Sequence, residues 1–484
     1  MLIKKWQKKL FSPVDASGLA LFRFLLGLVM LYQFTVVFSP SFVQENILSP
    51  SLHFPYPLFE WLDLDQIPKE AVHIIFRVTL VAIFALTVGV MTRIACITAL
   101  LGFSYVFMLD KSWYNNHYYL MILLLGVLCI SHSHRWLSLA LWRSDKESKD
   151  FVPFWQIFLL RFHILIAYFY GAIIKLTPDW LVHAQPMRRV LREFNVSIVS
   201  ASWDAYFCAY TGLLFDLLLP VMLIWGKYKR FTFACILLFN LANHFLFGQQ
   251  IAVFPFLMIA SYVLFLEPSQ PRHAYHKFKI AVQNCMANLQ GRKPTKAHPK
   301  TLDIVLPEYT ASRMKNMGMV LIVSWICFQL IFPLHWRVKT GTNHWIEEGR
   351  RFSWTMMSRG IDAFVAFSIL NPKTNKAYRV RFSDYLSMKQ YLNITSSPDM
   401  MKRFTKYLYE HGNKHGIKNP VIRFYSEMSL NGRAPQPFYY GEYSRVTKEF
   451  KFGPLDTSYN YENDYLKALK NRRDALMSYY IPQG

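Results

Sequence analysis

The segment Tyr168-Phe-Tyr-Gly-Ala-Ile-Ile-Lys-Leu-Thr-Pro-Asp-Trp180 ends an apolar run that begins near Phe151. A run of this length suits a helix that crosses the hydrocarbon layer of a membrane, which takes about 20 residues. Lys175 stands where that helix ends, so its ammonium group must either reach for water or take part in chemistry. A buried ammonium group loses hydration and gives up its proton more easily, which makes it a base. The sequence leaves both interpretations of Lys175 open, an interfacial anchor and a base.

Apolar runs of similar length recur through the first two thirds of the 484 residues, and 53% of the whole chain is hydrophobic. Their length and spacing predict a polytopic α-helical membrane protein with about nine transmembrane helices. We expect a transmembrane domain over residues 1–333 and a C-terminal mixed α/β, β-rich extracytoplasmic domain over 334–484. The predicted spans are 16–38, 71–91, 94–109, 117–131, 153–175, 205–225, 230–247, 251–267 and 315–333.

The net charge is +24, and its distribution along the chain is typical of a membrane protein rather than of a nucleic-acid-binding protein. Lysine and arginine precede the first span and fill every second loop, whereas the loop between spans one and two is acidic. The positive-inside rule then puts the N-terminus in the cytoplasm, and an odd number of spans puts the tail outside. The short loops and short tail favour a bacterial inner membrane over the endoplasmic reticulum. The exceptions to the charge pattern are Arg188, Arg189 and Arg192, which fall on the predicted outer side.

Cysteine spacing predicts neither a disulfide framework nor a metal site. None of the six cysteines lies in the tail, and no CxxC or His/Cys metal spacing occurs. At about 150 residues the tail is long enough to bury a core without covalent staples.

The tail pattern alternates between strand and helix signals. Residues 363–369 and 377–382 flank a turn and predict a hairpin. Ser397 and Pro398 predict a helix start, and Gly412 its end. Further expectations are a strand over 422–430 with an Asn431-Gly432 turn, an amphipathic helix over 465–480, and a polar, basic connector over 268–312.

Polar residues cluster at the outer ends of the predicted spans. Trp113-Tyr-Asn-Asn-His117 separates spans three and four, and Asn243-His244 ends span seven. An aromatic belt with capping asparagines explains the first cluster as well as a site does, because buried polar groups near lipid need partners either way. His244 alone is typical of a satisfied interfacial histidine. Because these groups and Lys175 share one predicted face, they indicate one pocket.

Several ordered motifs together carry a family resemblance. The chain resembles vitamin K-dependent γ-glutamyl carboxylase and its bacterial relatives, which share the horizontally transferred transmembrane (HTTM) domain. The resemblance covers roughly residues 11–450. Its motifs are Ser12-Pro-Val-Asp-Ala-Ser-Gly-Leu-Ala-Leu-Phe-Arg-Phe-Leu-Leu-Gly27, Leu109-Asp-Lys-Ser-Trp113, Asn115-Asn-His117, Tyr168-Phe169, Lys175-Leu176, Asp179-Trp180, Asn343-His-Trp345 and Phe352-Ser-Trp-Thr-Met-Met357.

The resemblance implies an enzyme. It places the base that deprotonates vitamin K hydroquinone on Lys175 and a catalytic histidine on His117. It implies a vitamin K or menaquinol-type quinol as cofactor, O2 and CO2 as co-substrates, no metal, and a glutamate-containing peptide or protein as partner. The quinol leaves as its epoxide, and the γ-proton of the glutamate is replaced by CO2. The expected binding residues for substrate or cofactor are Trp113, Asn115, Asn116, Asn243 and His244.

The chain departs from animal members at several points. Ile174 stands where those members have a first lysine before Lys175, the C-terminal region is much shorter, and the tail lacks their disulfide cysteines. The motifs Asn195-Val-Ser197 and Asn393-Ile-Thr395 match glycosylation acceptors, which matters only in a eukaryotic lumen. Two other functions therefore stay open, a quinol epoxidase without carboxylation and a non-catalytic transport or peptide-export partner. Transporters tend to show paired repeats with broken helices, and we find no repeat.

Overall fold

Nine apolar helices dominate the described part of this computed structural model. It describes residues 2–139, 151–194, 200–248, 251–289, 313–337, 345–455, 458, 467–471 and 473–474. The apolar helices are α2 (Ser17–Tyr32), α4 (Lys69–Val88), α5 (Thr92–Leu109), α6 (Asn116–Cys129), α7 (Phe154–Ile173), α10 (Ala201–Trp225), α11 (Lys229–Phe247), α12 (Phe254–Ser261) and α14 (Arg313–Ile331).

Each predicted span coincides with one of these helices, so the predicted α-helical membrane fold is confirmed. Within the described residues, seven helices are long and apolar enough to cross a membrane. The two shorter ones, α6 and α12 with its 3-10 extension to Phe265, match the fourth and eighth predicted spans. The remaining helices are α1 (Leu2–Phe11), α3 (Pro40–Val43), α8 (Pro178–Leu181), α9 (Met187–Glu193), α13 (Gln270–Leu289), α15 (Met388–Ile394) and α16 (Pro398–Lys414).

Small residues let the first spans pack closely. A Cβ on Gly102 of α5 would lie 1.8 Å from the Thr79 hydroxyl of α4, and one on Gly27 of α2 would lie 2.3 Å from that of Thr87. Close backbone approach at small residues is how membrane helices gain contact where lipid offers no hydrophobic driving force. The first three spans therefore form a tight unit beneath the site.

Contacts at the helix ends sort into two sets. At one end, β1 (Pro13–Asp15) pairs with β2 (Phe151–Pro153), and Arg272 binds Asp15 at 2.8 Å. At the other end, loops after α5 and α7 reach the C-terminal domain. This arrangement is what nine alternating spans produce, and the predicted orientation across the membrane stays a prediction. The joining pairs are Lys111–Asp399, Asp179–Arg433 and Arg189–Asp362.

The arginines that break the charge rule have partners in the protein. Arg189 binds Asp362 at 3.0 Å and Glu193 at 2.7 Å. The Arg188 guanidinium lies over the ring of Tyr206 at 5.1 Å. These contacts give both side chains a structural role on the side that faces the C-terminal domain.

The C-terminal domain is a five-stranded antiparallel sheet covered by α16. The strands are β3 (Ile361–Asn371), β4 (Lys376–Arg379), β5 (Val421–Leu430), β6 (Gln436–Tyr443) and β7 (Lys448–Phe452). Their order in the sheet is β4-β3-β5-β6-β7. Phe404 and Leu408 of α16 are fully buried against the sheet.

The local predictions for the tail hold with shifts in their bounds. The hairpin forms, but β4 stops at Arg379. The helix runs two residues past Gly412, and the Ser397 hydroxyl donates to Glu348 rather than capping the helix. The Asn431-Gly432 turn has two positive φ angles, 54° and 81°. Within the predicted connector, residues Gln270–Leu289 form helix α13. Within the predicted helix over 465–480, residues 467–471 and 473–474 are helical. Residues 290–312, 465–466, 472 and 475–480, together with 195–197 and 343–344, lie outside the described residues.

Candidate functional site

A cavity of about 490 Å³ lies where the helix ends meet the C-terminal domain. Five of the seven predicted site residues line it, namely Lys175, His117, Asn115, Asn116 and Asn243. The bundle and the tail both contribute walls, so the cavity exists only when the two parts are docked. The cavity is also lined by Tyr114, Trp180, Asp216, Phe254, Glu347, Arg350, Thr355, Met356 and Met357.

Lys175 is buried rather than turned to an interface. Its backbone N–H donates to the Ala172 carbonyl at 3.0 Å, just past the end of α7, and the residue is only 6% exposed. The ammonium forms an ion pair with Asp216, and it lies 5.1 Å from the ring centre of Trp180. An anchor that reaches for water would leave its amine exposed. The Lys175 amine therefore does not reach for water as an interfacial anchor does, and its role as a base stays a prediction.

Asp216 is the partner that the sequence analysis missed. It lies in the middle of α10, is 5% exposed and binds the Lys175 amine. Gly171 of α7 leaves room for it, because a Cβ there would lie 3.2 Å from the Asp216 carboxylate and 3.0 Å from Met356. The available signal was a carboxylate inside an apolar run, since such residues commonly mark functional sites.

His117 presents an unpaired nitrogen to the site. The residue is 3% exposed in the first turn of α6, and its Nε2 has no hydrogen-bond partner among the described residues. Its ring lies 6.2 Å from that of Phe254. A buried nitrogen without a partner costs free energy unless a bound group satisfies it. This atom can therefore accept a hydrogen bond from a bound hydroxyl group or donate one to a bound oxygen, depending on the tautomer of the ring.

Asn116, beside His117, makes two side-chain hydrogen bonds. It accepts from the Tyr114 hydroxyl at 2.9 Å and donates to the Thr355 carbonyl at 3.2 Å. Tyr114 also accepts from the backbone N–H of Phe352 at 2.6 Å. Burial raises the pKa of the Tyr114 phenol, so it stays a neutral donor. These bonds tie the start of α6 to the C-terminal domain.

Charged residues of the C-terminal domain form one wall of the cavity. Arg350 donates to the Thr355 carbonyl at 3.2 Å and lies 3.7 Å from Glu347, which also pairs with Arg359. Burial lowers the pKa of Arg350 to about 10, so its guanidinium stays charged at neutral pH. Sequence reasoning missed Glu347 and Arg350, although the neighbouring Phe352–Met357 motif pointed to this segment.

Two predicted binding residues lie outside the cavity lining. The Trp113 ring packs edge-on against Phe42 at 4.4 Å, and the Lys389 amine lies 5.9 Å from its centre. The His244 ring lies 5.1 Å from Phe256, and its Nδ1 is buried without a hydrogen-bond partner in the described part of the chain. Both contacts are those of a packed aromatic layer at the edge of the bundle. The described residues hold no group of three or more His, Cys, Asp or Glu side chains suited to a metal ion.

Comparison with known families matches both halves of the chain. Residues 11–269 match the family model described as the HTTM domain. Residues 314–452 match the lumenal domain of vitamin K-dependent gamma-carboxylase. No solved structure matches the chain. The first match covers more than half of the chain and the second follows it in the order of the two structural parts, so the chain belongs to the vitamin K-dependent γ-glutamyl carboxylase family.

Proposed function

We propose that this membrane protein couples oxidation of a reduced vitamin K-type quinol to its epoxide with carboxylation of peptide glutamate. One observation carries the proposal: Lys175 and His117, far apart in sequence, line the same largely apolar cavity. Their roles as base and catalytic histidine, with Asn115, Asn116 and Asn243 as binding residues, are part of the proposal. When bound, the quinol supplies the reaction with O2 that yields a base strong enough to remove a γ-proton of glutamate.

Lys175 can accept a proton only if it first gives one up. Asp216 lies within hydrogen-bond reach of its Nζ and offers that acceptor. Moving the proton from Nζ to the carboxylate leaves a neutral amine, which can then take up a proton from the quinol. Trp180 covers the amine and helps to exclude water, which would quench a strong base.

In this proposal His117 binds the quinol, and Arg350 binds the glutamate side chain. The free Nε2 of His117 is available to hold an oxygen of the quinol ring. The guanidinium of Arg350 is a cation on the C-terminal wall, where an anionic glutamate side chain would enter. Because Arg350 also lies 3.7 Å from Glu347, it would bind a substrate carboxylate beside that ion pair, and carboxylation beside epoxidation stays part of the proposal.

The proposal extends to the architecture. We propose domain bounds of 1–333 and 334–484, a bacterial inner membrane as location, a cytoplasmic N-terminus and an extracytoplasmic tail. Membrane lipid and a glutamate-containing peptide are the proposed partners.

The decisive assay supplies purified protein in lipid nanodiscs with vitamin K hydroquinone, O2, labelled bicarbonate and a glutamate peptide. We expect epoxide and acid-stable label in the peptide in equal amounts. Epoxide without label would leave a quinol epoxidase, and neither product would favour a transport or export partner. Lys376→Ala, at an exposed lysine that begins β4, is the matched control for Lys175→Ala.

A further inference from the structure

Two helices outside the spans, α1 and α13, are attached at the short strand β1. α1 ends at Phe11, and β1 begins at Pro13. The Arg272 guanidinium of α13 donates to both carboxylate oxygens of Asp15 in β1, at 2.8 and 3.3 Å. Because β1 fixes both helices, they lie at the same end of the bundle, the end remote from the C-terminal domain.

The helix α13 carries an exposed apolar stripe. Its members are three, four, four and three positions apart, so they share one face of the helix. Phe278 is 68% exposed and Leu289 is 83% exposed. The start of the helix is held against the bundle by Arg272 and by the ring of Tyr275, which lies 5.8 Å from that of Trp136. The stripe consists of Tyr275, Phe278, Val282, Met286 and Leu289.

The helix α1 is amphipathic in the same way. Ile3, Trp6 and Leu10 share one face at spacings of three and four residues. Leu10 is buried, whereas Ile3 and Trp6 are exposed. The Gln7 side chain donates to that of Asn316 in the span α14 at 2.6 Å. The helix is therefore held against a span while it exposes two large apolar side chains.

The charged residues of both helices are all basic, since neither helix contains Asp or Glu. A second copy of this surface would bring like charges together, which disfavours self-association. Nucleic acid would match the charge but would leave the apolar stripe in water. Anionic phospholipid matches both features, because acyl chains take up apolar side chains and headgroup phosphates attract amines. The exposed lysines are Lys4, Lys5, Lys8, Lys9, Lys277 and Lys279.

The positions of the two helices along the chain agree with a lipid partner. Five residues separate α1 from the first span, and four separate the 3-10 extension of α12 from α13. Such short connections keep both helices close to the membrane surface.

We propose that α1 and α13 together bind anionic phospholipid in the leaflet at this end of the bundle. The exposed apolar side chains enter the acyl region, and the lysines contact the headgroup phosphates. This goes beyond the proposed function, because the binding needs neither quinol nor turnover.

The first test uses Cys285, an exposed thiol of α13 next to Met286, as a natural probe. The full-length protein is placed in nanodiscs, one copy in each, made of phosphatidylcholine alone or with an equal share of phosphatidylglycerol. Alkylation of Cys285 by a charged maleimide, followed by mass spectrometry, should be about tenfold slower with phosphatidylglycerol. Cys327, exposed on the span α14, is the internal reference and should react at the same rate in both discs.

Equal rates at Cys285 in the two kinds of disc would overturn the proposal. Protection in discs that hold one copy excludes self-association as its cause. Inorganic phosphate added to phosphatidylcholine discs should give no protection. Protection by phosphate alone would show a site for the free anion and would likewise overturn lipid binding.

The second test removes charge and apolar contact separately. Replacing Lys4, Lys5, Lys277 and Lys279 by Gln should abolish most of the protection in phosphatidylglycerol discs. The matched control replaces four exposed lysines of the C-terminal domain by Gln and should keep it. Equal loss in both variants would reduce the effect to net charge and overturn the site. The control lysines are Lys373, Lys376, Lys414 and Lys418.

The double variant Phe278→Ser with Leu289→Ser keeps every charge and should also lose the protection of Cys285. Unchanged protection in this variant would overturn insertion of the apolar stripe. Thermal unfolding, measured on each preparation, should stay within a few degrees of the wild type, because the substituted side chains are exposed.

Discussion

Lys175 and Asp216 form a buried ion pair that joins the segment after α7 to the middle of α10. Their side chains are 7% and 6% exposed, so neither charge has much water around it. Each charge alone would cost several kcal/mol at such depth, and their mutual neutralisation is what makes the arrangement tolerable. The pair therefore affects the stability of the fold and, in the proposed function, the activity. Different variants distinguish these two effects.

The structural effect of the pair should show in double variants. Lys175→Met or Asp216→Leu leaves one buried charge without its partner and should destabilise the folded protein by about 3–5 kcal/mol. The double variant removes both charges and should recover most of this loss. Thermal unfolding in detergent measures the three stabilities, and epoxide formation should be absent in all three. Single variants as stable as the wild type would contradict a buried ion pair.

Glu348 should make the stability of the C-terminal domain depend on pH. It accepts from the Ser397 hydroxyl at 3.0 Å and from the Asp399 backbone N–H at 3.1 Å. Burial, together with the adjacent Asp399 carboxylate, raises the pKa of Glu348 from its usual 4.5 to about 8. The folded protein thus holds this proton more tightly than the unfolded chain, and the stabilisation is lost as pH rises through about 8.

The unfolding temperature should accordingly fall by several degrees between about pH 5 and pH 9, and Glu348→Gln should flatten this slope. Burial opposes ionisation of Asp399, but its contacts with Glu348 and Lys111 hold its pKa below the usual 3.8, so its own effect appears only in acid. Glu45→Gln, at an exposed position, is the control and should keep the slope. An unchanged slope in Glu348→Gln would show that another group titrates.

His117→Ala tests the unpaired nitrogen. If Nε2 holds an oxygen of the quinol, the variant should lose turnover by about 10²–10⁴-fold, the range for a positioned acid–base group. Folding should survive, because the described structure shows no hydrogen bond from this atom to the protein. Epoxide formation and thermal unfolding are measured together on the purified variant. A variant that fails to accumulate in the membrane would favour the capping role instead.

The spans and tail elements were predictable because each carries its signal locally. The apolar run that ends at Lys175 has helical length, and the Asn431-Gly432 turn needs only its two residues. Asp216 was not predictable as a partner, since its pairing depends on how α10 packs against α7. The same holds for Arg350, which enters the cavity only because the tail docks on the bundle. Trp113 and His244 were expected at the site because they share its depth, but they pack around its rim.

The orientation across the membrane is a separate prediction. The positive-inside rule places a reporter fused after Gly484 outside the cytoplasm and one inserted near Lys293 inside. Alkaline phosphatase and green fluorescent protein fusions give opposite signals on the two sides. If both fusions report the same side of the membrane, the nine-span topology is wrong.

Lys175→Ala and Lys175→Arg together decide between base and anchor. If Lys175 is the quinol base, its amine must be neutral for part of the catalytic cycle. Lys175→Ala should abolish epoxide formation, and a small exogenous amine that fits the vacated space should restore part of it. Lys175→Arg should stay inactive, because a guanidinium keeps its proton at any accessible pH.

Lys175→Arg distinguishes the two roles better than Lys175→Ala does, because it preserves the positive charge opposite Asp216. A role limited to the ion pair predicts near-normal stability and near-normal epoxide formation in Lys175→Arg, since either cation can neutralise the carboxylate. The base role predicts near-normal thermal stability and no epoxide formation, so Lys175→Arg should keep its stability and lose its activity. Measuring thermal unfolding and quinol turnover on the same preparation tests this directly, and full turnover by the arginine variant would leave Lys175 as a structural residue.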